Sequence, residues 1–162
     1  EGSSLGVKIA KNFSALCKSI KKNFRKYDQL LCEQFIGGQE IQVAVINGYP
    51  LGAIELKPKR EFYDYKAKYS KSANTTHIMP ANLRKSKYNQ VMQIATKAHN
   101  ALRCKGITRS DFKFYKNKFY LLEINTQPGM TSLSLVPEIA KYYKIPFVKL
   151  VKWMVNDSSI NR

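Results

Sequence analysis

The sequence is poor in the residue types that build disulfide frameworks and zinc sites. It has 3 cysteines and 2 histidines among 162 residues. Cys17, Cys32 and Cys104 are odd in number, far apart and without any CxxC pair, which favours reduced thiols packed as small apolar side chains. His77 and His99 have no ligand-type spacing around them. We therefore expect an intracellular protein whose fold needs no covalent or metal cross-link.

Long apolar runs and a recognisable N-terminal signal are also absent. No stretch approaches the roughly 20 apolar residues that a membrane helix requires. We expect a soluble, cytoplasmic protein with no membrane partner. Its 162 residues fit one domain, large enough to bury roughly two-thirds of its unfolded surface.

Acidic residues are scarce. The chain has 11 Asp and Glu against 28 Lys and Arg, a net charge of +17. A basic nucleic-acid-binding module is therefore one alternative, because clustered cations gain affinity by releasing phosphate counterions. The lysines are dispersed through predicted helices and loops, however, with no recognisable RNA or DNA module to organise them. We favour a solvated basic surface that attracts smaller anions such as nucleotide phosphates.

The stretch from Ile107 to Asn125 predicts a β-hairpin with a short polar turn at Lys116-Asn117-Lys118. If the turn is centred on Asn117, Asp111 faces Glu123 and Arg109 faces Asn125, all on one face. Facing carboxylates repel unless a divalent cation neutralises them, and oxygen ligands suit Mg²⁺. The pattern therefore predicts a magnesium site at Asp111, Glu123 and Asn125, with a solvated charged ladder as the alternative.

The remaining segments predict an α+β fold with an antiparallel sheet and flanking helices. Helices are predicted from Asn12, as the N-cap, to about Tyr27, from Leu83 to Arg103, and from Phe147 to Val155. Further strands are predicted at Gln29 to Phe35, Glu40 to Ile46 and Leu51 to Leu56, the last two joined at Asn47-Gly48.

Residues 57–74 have neither helical nor strand periodicity and are rich in Lys and Tyr. Long irregular segments in compact domains are usually functional lids or disordered. Cations that hold phosphate and aromatic rings that exclude water are the mixture expected of a cover over an anionic ligand. A basic surface loop is the alternative.

Several segments together resemble the ATP-grasp ligases, and within them the D-alanine:D-alanine ligases. The resemblance covers nearly the whole chain and rests on EGSSLGV at 1–7, CEQFIGGQE at 32–40, FYDYKAKY at 62–69, RSDF at 109–112 and LLEINTQPGMTSLSLVP at 121–137. It implies an ATP-grasp-type sheet, with residues 1–28 ending a central subdomain and residues 29–162 forming the C-terminal subdomain. The fold would be incomplete at its N-terminus.

The resemblance assigns the metal and nucleotide ligands. The family's Mg²⁺ (or Mn²⁺) ligands, which hold two ions, fall on Asp111, Glu123 and Asn125. The positions that would bind ATP are Glu33, Gln34, Phe35, Ile36, Glu40, Phe62, Lys68 and Leu122. Among them, Glu40 would hold the ribose hydroxyls, Phe62 would pack on the base and Lys68 would reach a phosphate.

The resemblance also assigns catalytic and acceptor residues. Arg109 and Gly129 would lie beside the acyl-phosphate and tetrahedral oxygens, and Ser134 and Leu135 at the carboxylate of a second D-alanine. Tyr69 would close the lid onto Ser3, and a tyrosine there favours an amine as nucleophile.

The implied reaction joins two D-alanines for peptidoglycan in a bacterial cytoplasm. The first D-alanine attacks the γ-phosphate of ATP to give an acyl phosphate, and the amine of the second then displaces phosphate. Another carboxylate-amine or carboxylate-thiol ligase of this superfamily is the nearest alternative. The partner that the resemblance implies is an N-terminal half of the ligase, ahead of the EGSS loop, and a homodimer is compatible. Without that half, we expect the chain to bind nucleotide weakly and not to ligate.

Overall fold

A five-stranded antiparallel sheet organises residues 7–58, 75–131 and 133–159, the parts that a computed structural model of the chain describes. The elements in chain order are α1 (Phe13–Asn23), β1 (Gln39–Ile46), β2 (Tyr49–Lys57), β3 (Thr76–Ile78), α2 (Lys85–Ala101), β4 (Ile107–Tyr115), β5 (Lys118–Asn125), α3 (Leu135–Tyr142) and α4 (Phe147–Asp157). The strand order is β3-β2-β1-β4-β5, which confirms the predicted α+β class with an antiparallel sheet.

Helices cover both faces of the sheet because both faces are apolar over most of their length. On one face, Val91 and Ala95 of α2 join a buried cluster with Ile41, Val43, Val45, Ala53, Ala81 and Phe112. On the other face, Leu135, Val136, Ile139 and Ala140 of α3 and Leu150 of α4 join a cluster with Ala44, Ile54, Leu56 and Ile107. Alternation along the strands separates the two clusters, since neighbouring residues such as Val43 and Ala44 point to opposite faces.

Two tight turns set the register of the sheet. Asn47-Gly48 joins β1 to β2 with φ of 48° and 79°, and Lys116-Asn117 joins β4 to β5 with φ of 45° and 64°. Paired positive φ values are those of two-residue hairpin turns whose twist matches the flanking strands. The second turn therefore has two central residues, and the predicted three-residue turn is wrong.

Tyr88 of α2 caps an unpaired stretch of β2. Its hydroxyl accepts a hydrogen bond from the Ala53 amide at 2.9 Å and lies 3.0 Å from the hydroxyl of Tyr143. Gly52 allows this arrangement, because a Cβ there would lie 2.4 Å from a ring carbon of Tyr143. The outer edge of β2 pairs with β3 only at residues 55–57. Side chains of α2 and of the residues after α3 thus cover the edge of β2 at residues 52 and 53.

The end of the first helix and the first predicted strand depart furthest from the predictions. Asn12 does cap α1, accepting from the Ala15 amide at 2.8 Å, but the helix ends at Asn23 rather than near Tyr27. The strand predicted from Gln29 to Phe35 is wrong, because these residues join no ladder. β1 already pairs with β2 on one side and β4 on the other, so its edges offer no place for another strand.

No helix in the described ranges has the length and apolar character needed to cross a membrane.

Candidate functional site: the polar face of the β4–β5 hairpin

A β-bulge in β5 places two carboxylates face to face. Next to the turn, Tyr115 pairs with Lys118 and Phe112 with Leu121, but Asp111 then pairs with Glu123, so Leu122 is the extra residue. Without it, the short turn would set Glu123 against Ser110 and send its side chain to the α2 face. The bulge therefore produces the predicted pairs, Asp111 with Glu123 and Arg109 with Asn125.

β1 extends this polar face. In the β1–β4 register, Glu40 pairs with Lys113, Gln42 with Asp111 and Ala44 with Arg109. The Lys113 ammonium donates to a Glu40 carboxylate oxygen at 2.9 Å, with both side chains largely buried. Beyond Ala44 the same face becomes the apolar floor under α3 and α4. The site is thus the polar end of a face whose other end is core.

Asp111 is held by a bidentate ion pair with Arg109. The guanidinium Nε donates to Oδ1 at 2.8 Å and Nη2 donates to Oδ2 at 2.9 Å. The exposed fractions of the two side chains are 17% for Arg109 and 8% for Asp111, so the pair is well shielded from solvent. Planar fork-to-carboxylate pairs of this kind fix both partners in orientation. Arg109 thereby supplies positive charge to a largely buried carboxylate.

The side chains on this face fit a hard cation in their chemistry. Asp111 and Glu123 offer carboxylate oxygens on directly opposed residues, and the Asn125 amide lies close to Glu123, with Nδ2 3.4 Å from Oε1. Magnesium prefers oxygen ligands and takes few from the protein. Within the described ranges, no group of three or more His, Cys, Asp or Glu side chains is placed to hold a metal. A metal site here accordingly depends on the mixed set of two carboxylates and one amide.

The predicted adenine-binding residues lie in an extended segment that leads into β1. Glu33, Gln34 and Phe35 are exposed, and Ile36 is partly buried. Phe35 keeps 57% of its surface accessible, and the bulged Leu122 keeps 52%. Large apolar side chains with that much exposure are available to a flat ligand. Glu40, the predicted ribose ligand, stands at the start of β1 beside Lys113.

The predicted acceptor residues meet at the N-terminus of α3. Ser134 is the N-cap residue, and its hydroxyl accepts from the Thr131 amide at 3.0 Å. A Cβ on Gly129 would lie 2.8 Å from that hydroxyl oxygen, so the hydroxyl occupies the space that a side chain at residue 129 would take. The side chain of Leu135 is buried in the core, which leaves its backbone N–H as the group it can offer to a carboxylate.

Four predicted site residues, Ser3, Phe62, Lys68 and Tyr69, lie outside the described residues. So does most of the segment predicted to act as a cover, residues 59–74. Two residues of the polar face were missed from the sequence, Lys113 and Gln42. Their signal was the alternation itself, since Lys113 follows Asp111 at two residues and Gln42 follows Glu40 at the same spacing.

Comparison with known proteins identifies a matching family model and relatives of the same family. A family model described as the D-ala D-ala ligase C-terminus matches residues 1–156. The D-alanine--D-alanine ligase of Pelagibacter ubique is 56% identical over 162 residues, covering 100% of this chain and 53% of its own length. That of Pelobacter propionicus is 42% identical over 163 residues, covering 99% and 52%.

Solved structures agree with the sequence relatives. The crystal structure of D-alanine--D-alanine ligase from Bacillus anthracis superposes with a TM-score of 0.81 at 31% identity, over 96% of this chain and 51% of that one. The same enzyme complexed with ATP gives 0.79 at 26% identity, over 94% and 48%.

The sheet, its flanking helices and these neighbours define a fold of the ATP-grasp type. The chain belongs to the D-ala D-ala ligase C-terminus family, which confirms the resemblance read from its motifs. It spans about half the length of the relatives that it matches.

Proposed function

We propose that this chain is the C-terminal catalytic portion of an ATP-dependent D-alanine:D-alanine ligase. The observation that carries the proposal is the convergence of Arg109, Asp111, Glu123 and Asn125 on one face by the register of β4 and β5. The chain is 56% identical over its whole length to a protein named for that activity. The product, D-alanyl-D-alanine, would serve peptidoglycan synthesis in a bacterial cytoplasm.

The nucleotide would lie along the polar end of the sheet. The exposed Glu33, Gln34 and Phe35 and the partly buried Ile36 would form the edge that binds adenine, and the exposed Leu122 would add an apolar contact. Glu40, already oriented by its ion pair with Lys113, has a second carboxylate oxygen available for the ribose hydroxyls. Phe62 and Lys68 are proposed from the sequence motif as the base and phosphate contacts.

Asp111, Glu123 and Asn125 would hold magnesium, or manganese in its place. When bound, the metal neutralises phosphate charge and aligns the transferred group. Asp111 and Glu123 would supply the negative charge and Asn125 a neutral oxygen, as a hard ion requires. Two ions are proposed by the family resemblance.

Arg109 would stabilise the charge that develops on the acyl phosphate and on the tetrahedral intermediate. Arg109 stands on the same face as Asp111 and Asn125, and its guanidinium is a fixed positive charge that would stabilise the reacting oxygens while it orients the Asp111 carboxylate. The backbone at Gly129 and the Ser134–Leu135 turn would receive the oxyanion and the acceptor carboxylate. Tyr69 and Ser3 are proposed as the pair that closes the lid.

The 162 residues by themselves are proposed to bind nucleotide weakly and not to ligate. The relatives are about twice as long, and the half that this chain does not match would complete the site. A homodimer is compatible with the proposal.

A hybrid enzyme tests the function. The 162 residues replace the matching portion of the Pelagibacter ubique ligase, to which they are 56% identical, and ADP release and dipeptide formation are measured. D-alanine-dependent turnover is expected, and Asp111→Asn should abolish it while Asp28→Asn, at an exposed carboxylate, should not. A hybrid that binds ATP but releases ADP only with other amino acids would show a different carboxylate-amine ligase.

A further inference from the structure

Gln42 is a buried amide whose oxygen lacks a hydrogen-bond donor. The residue is 1% exposed, and within the described part of the chain its Oε1 has no hydrogen-bond partner. Buried polar atoms are nearly always paired, because an unpaired acceptor loses its bonds to water and gains nothing in return. Beside a binding site, such an oxygen can be satisfied by a donor that belongs to a bound ligand.

The position of Gln42 identifies which ligand. It stands between Glu40 and Ala44 on the polar face of β1, so alternation turns its side chain to the side of the site. Its cross-strand neighbour on β2 is Ile54, which is apolar and fully buried. On β4 its neighbour is Asp111. The polar residue paired with Gln42 is thus Asp111, one of the proposed metal ligands.

Asp111 itself cannot satisfy Gln42 Oε1, because a carboxylate oxygen and an amide oxygen are both acceptors. Both carboxylate oxygens already accept from Arg109. What is required is a donor next to Asp111. Magnesium and manganese keep several waters when carboxylates bind them, and those waters donate to acceptors around the ion.

We propose that Gln42 is a positioning residue of the metal site, whose Oε1 accepts a hydrogen bond from a water in the hydration shell of the ion at Asp111. The proposal rests on the proposed metal site and extends it to a residue that the family motifs did not point to. The carboxamide orients that water and, through it, the ion. Because no described residue donates to this oxygen, we expect Gln42 to lower the stability of the metal-free chain while it raises the affinity for metal.

Gln42→Met removes the oxygen while keeping the length of the side chain. Ser110→Ala is the matched control, because Ser110 also has a buried oxygen without a partner but belongs to the α2 face, opposite Val43. The probe is Mn²⁺-ATP, with which the whole chain is titrated. Binding is detected from the change in the relaxation rate of the water protons. Metal-free ATP in EDTA is titrated by calorimetry, and thermal unfolding is measured without metal.

Gln42→Met is expected to weaken Mn²⁺-ATP binding about tenfold, the usual effect of losing a partner of a metal-bound group. Its affinity for metal-free ATP and the behaviour of Ser110→Ala should match the wild type, and its metal-free unfolding temperature should be equal or higher. Unchanged Mn²⁺-ATP affinity, an equal loss for metal-free ATP, or a variant that unfolds earlier would overturn the role of Gln42. Wild-type protein without any Mn²⁺-ATP signal, or a signal that survives Asp111→Asn, would instead overturn the metal site.

Discussion

Glu123 lies directly opposite Asp111 because Leu122 is the extra residue of a bulge. The two-residue turn at Lys116-Asn117 moves the register by one, and the bulge moves it back. Asp111 and Glu123 therefore share a face despite a turn that, in a regular ladder, would separate them. Bulges next to functional sites commonly re-aim one side chain in this way.

The turn that sets this register can be tested by substitution at Asn117. Its φ of 64° is easily adopted by glycine and poorly by a β-branched residue. Asn117→Gly should raise the free energy of unfolding by about 0.5 kcal/mol, and Asn117→Val should lower it by about 1 to 2 kcal/mol. Chemical denaturation followed by circular dichroism measures both. An Asn117→Val variant as stable as the wild type would contradict the positive φ.

Tyr88 should matter more to stability than its partner Tyr143. Tyr88→Phe leaves the Ala53 amide without its acceptor and should cost about 1 to 3 kcal/mol. Tyr143→Phe keeps that bond and removes only the contact between hydroxyls, so a smaller loss is expected. Equal decreases in unfolding temperature for Tyr88→Phe and Tyr143→Phe would show that the hydrogen bond from the Ala53 amide to Tyr88 does not stabilise the fold.

Tyr88 also predicts a loss of stability in alkali. Burial, and after it the hydrogen bond with Tyr143, raises the pKa of the Tyr88 phenol. The folded state therefore holds this proton more tightly than the unfolded state, and that contribution disappears as pH rises past the ordinary value of about 10. Unfolding measured from pH 8 to 11 should show a steeper decline in the wild type than in Tyr88→Phe. Parallel curves would contradict this.

His99 predicts a loss of stability in acid. Its imidazole is 1% exposed, with Nδ1 2.8 Å from the Thr108 hydroxyl, and burial lowers its pKa, helped by the charge of Lys105. A depressed pKa means that stability is present above the unfolded value of about 6.5 and is lost as pH falls below it. His99→Gln should flatten the decline between pH 7 and 5. A decline of unchanged slope would exclude His99 as its source.

Gly129 and Ser134 should be energetically coupled. The Cβ added by Gly129→Ala would meet Ser134 Oγ at 2.8 Å and Ser134 Cβ at 3.6 Å, so the hydroxyl is the atom that must move. The substitution should cost about 1 kcal/mol by breaking the bond to the Thr131 amide, and much less in a Ser134→Ala background. A double-mutant cycle in denaturant measures the difference, and additive effects would rule out the contact.

The sequence predicted two residue pairs of the hairpin more accurately than the turn and the bulge that produce them. The pairs Asp111–Glu123 and Arg109–Asn125 are confirmed, yet the turn predicted to produce them is wrong. The bulge left one trace in the sequence. Phe119, Leu121 and Ile124 belong to the α2 face by register, so the apolar spacing changes from two to three at Leu122. A spacing change of one residue does not by itself distinguish a bulge from a strand end.

The segment from Gln29 to Phe35 shows why the rest could not be predicted. Its apolar residues favour a strand, but the segment pairs with no strand of the sheet, and Leu31 and Phe35 remain exposed. Strand formation depends on pairing with a neighbouring strand, which the residues of the segment alone do not determine. The ion pair of Lys113 with Glu40 also depends on the whole sheet, because the two residues are 73 apart in sequence and meet only when β1 pairs with β4.

The most direct test of the metal and nucleotide site is an NMR titration of the whole chain with Mn²⁺-ATP, which detects weak binding. We predict that the amide signals of residues 40–42, 109–113 and 123–125 broaden first and that those of α4 persist. Asp111→Asn with Glu123→Gln should remove the effect, and Asp28→Asn should leave it. Broadening centred on the lysines of α1, unchanged in the double variant, would contradict the site and indicate phosphate binding by the basic surface alone.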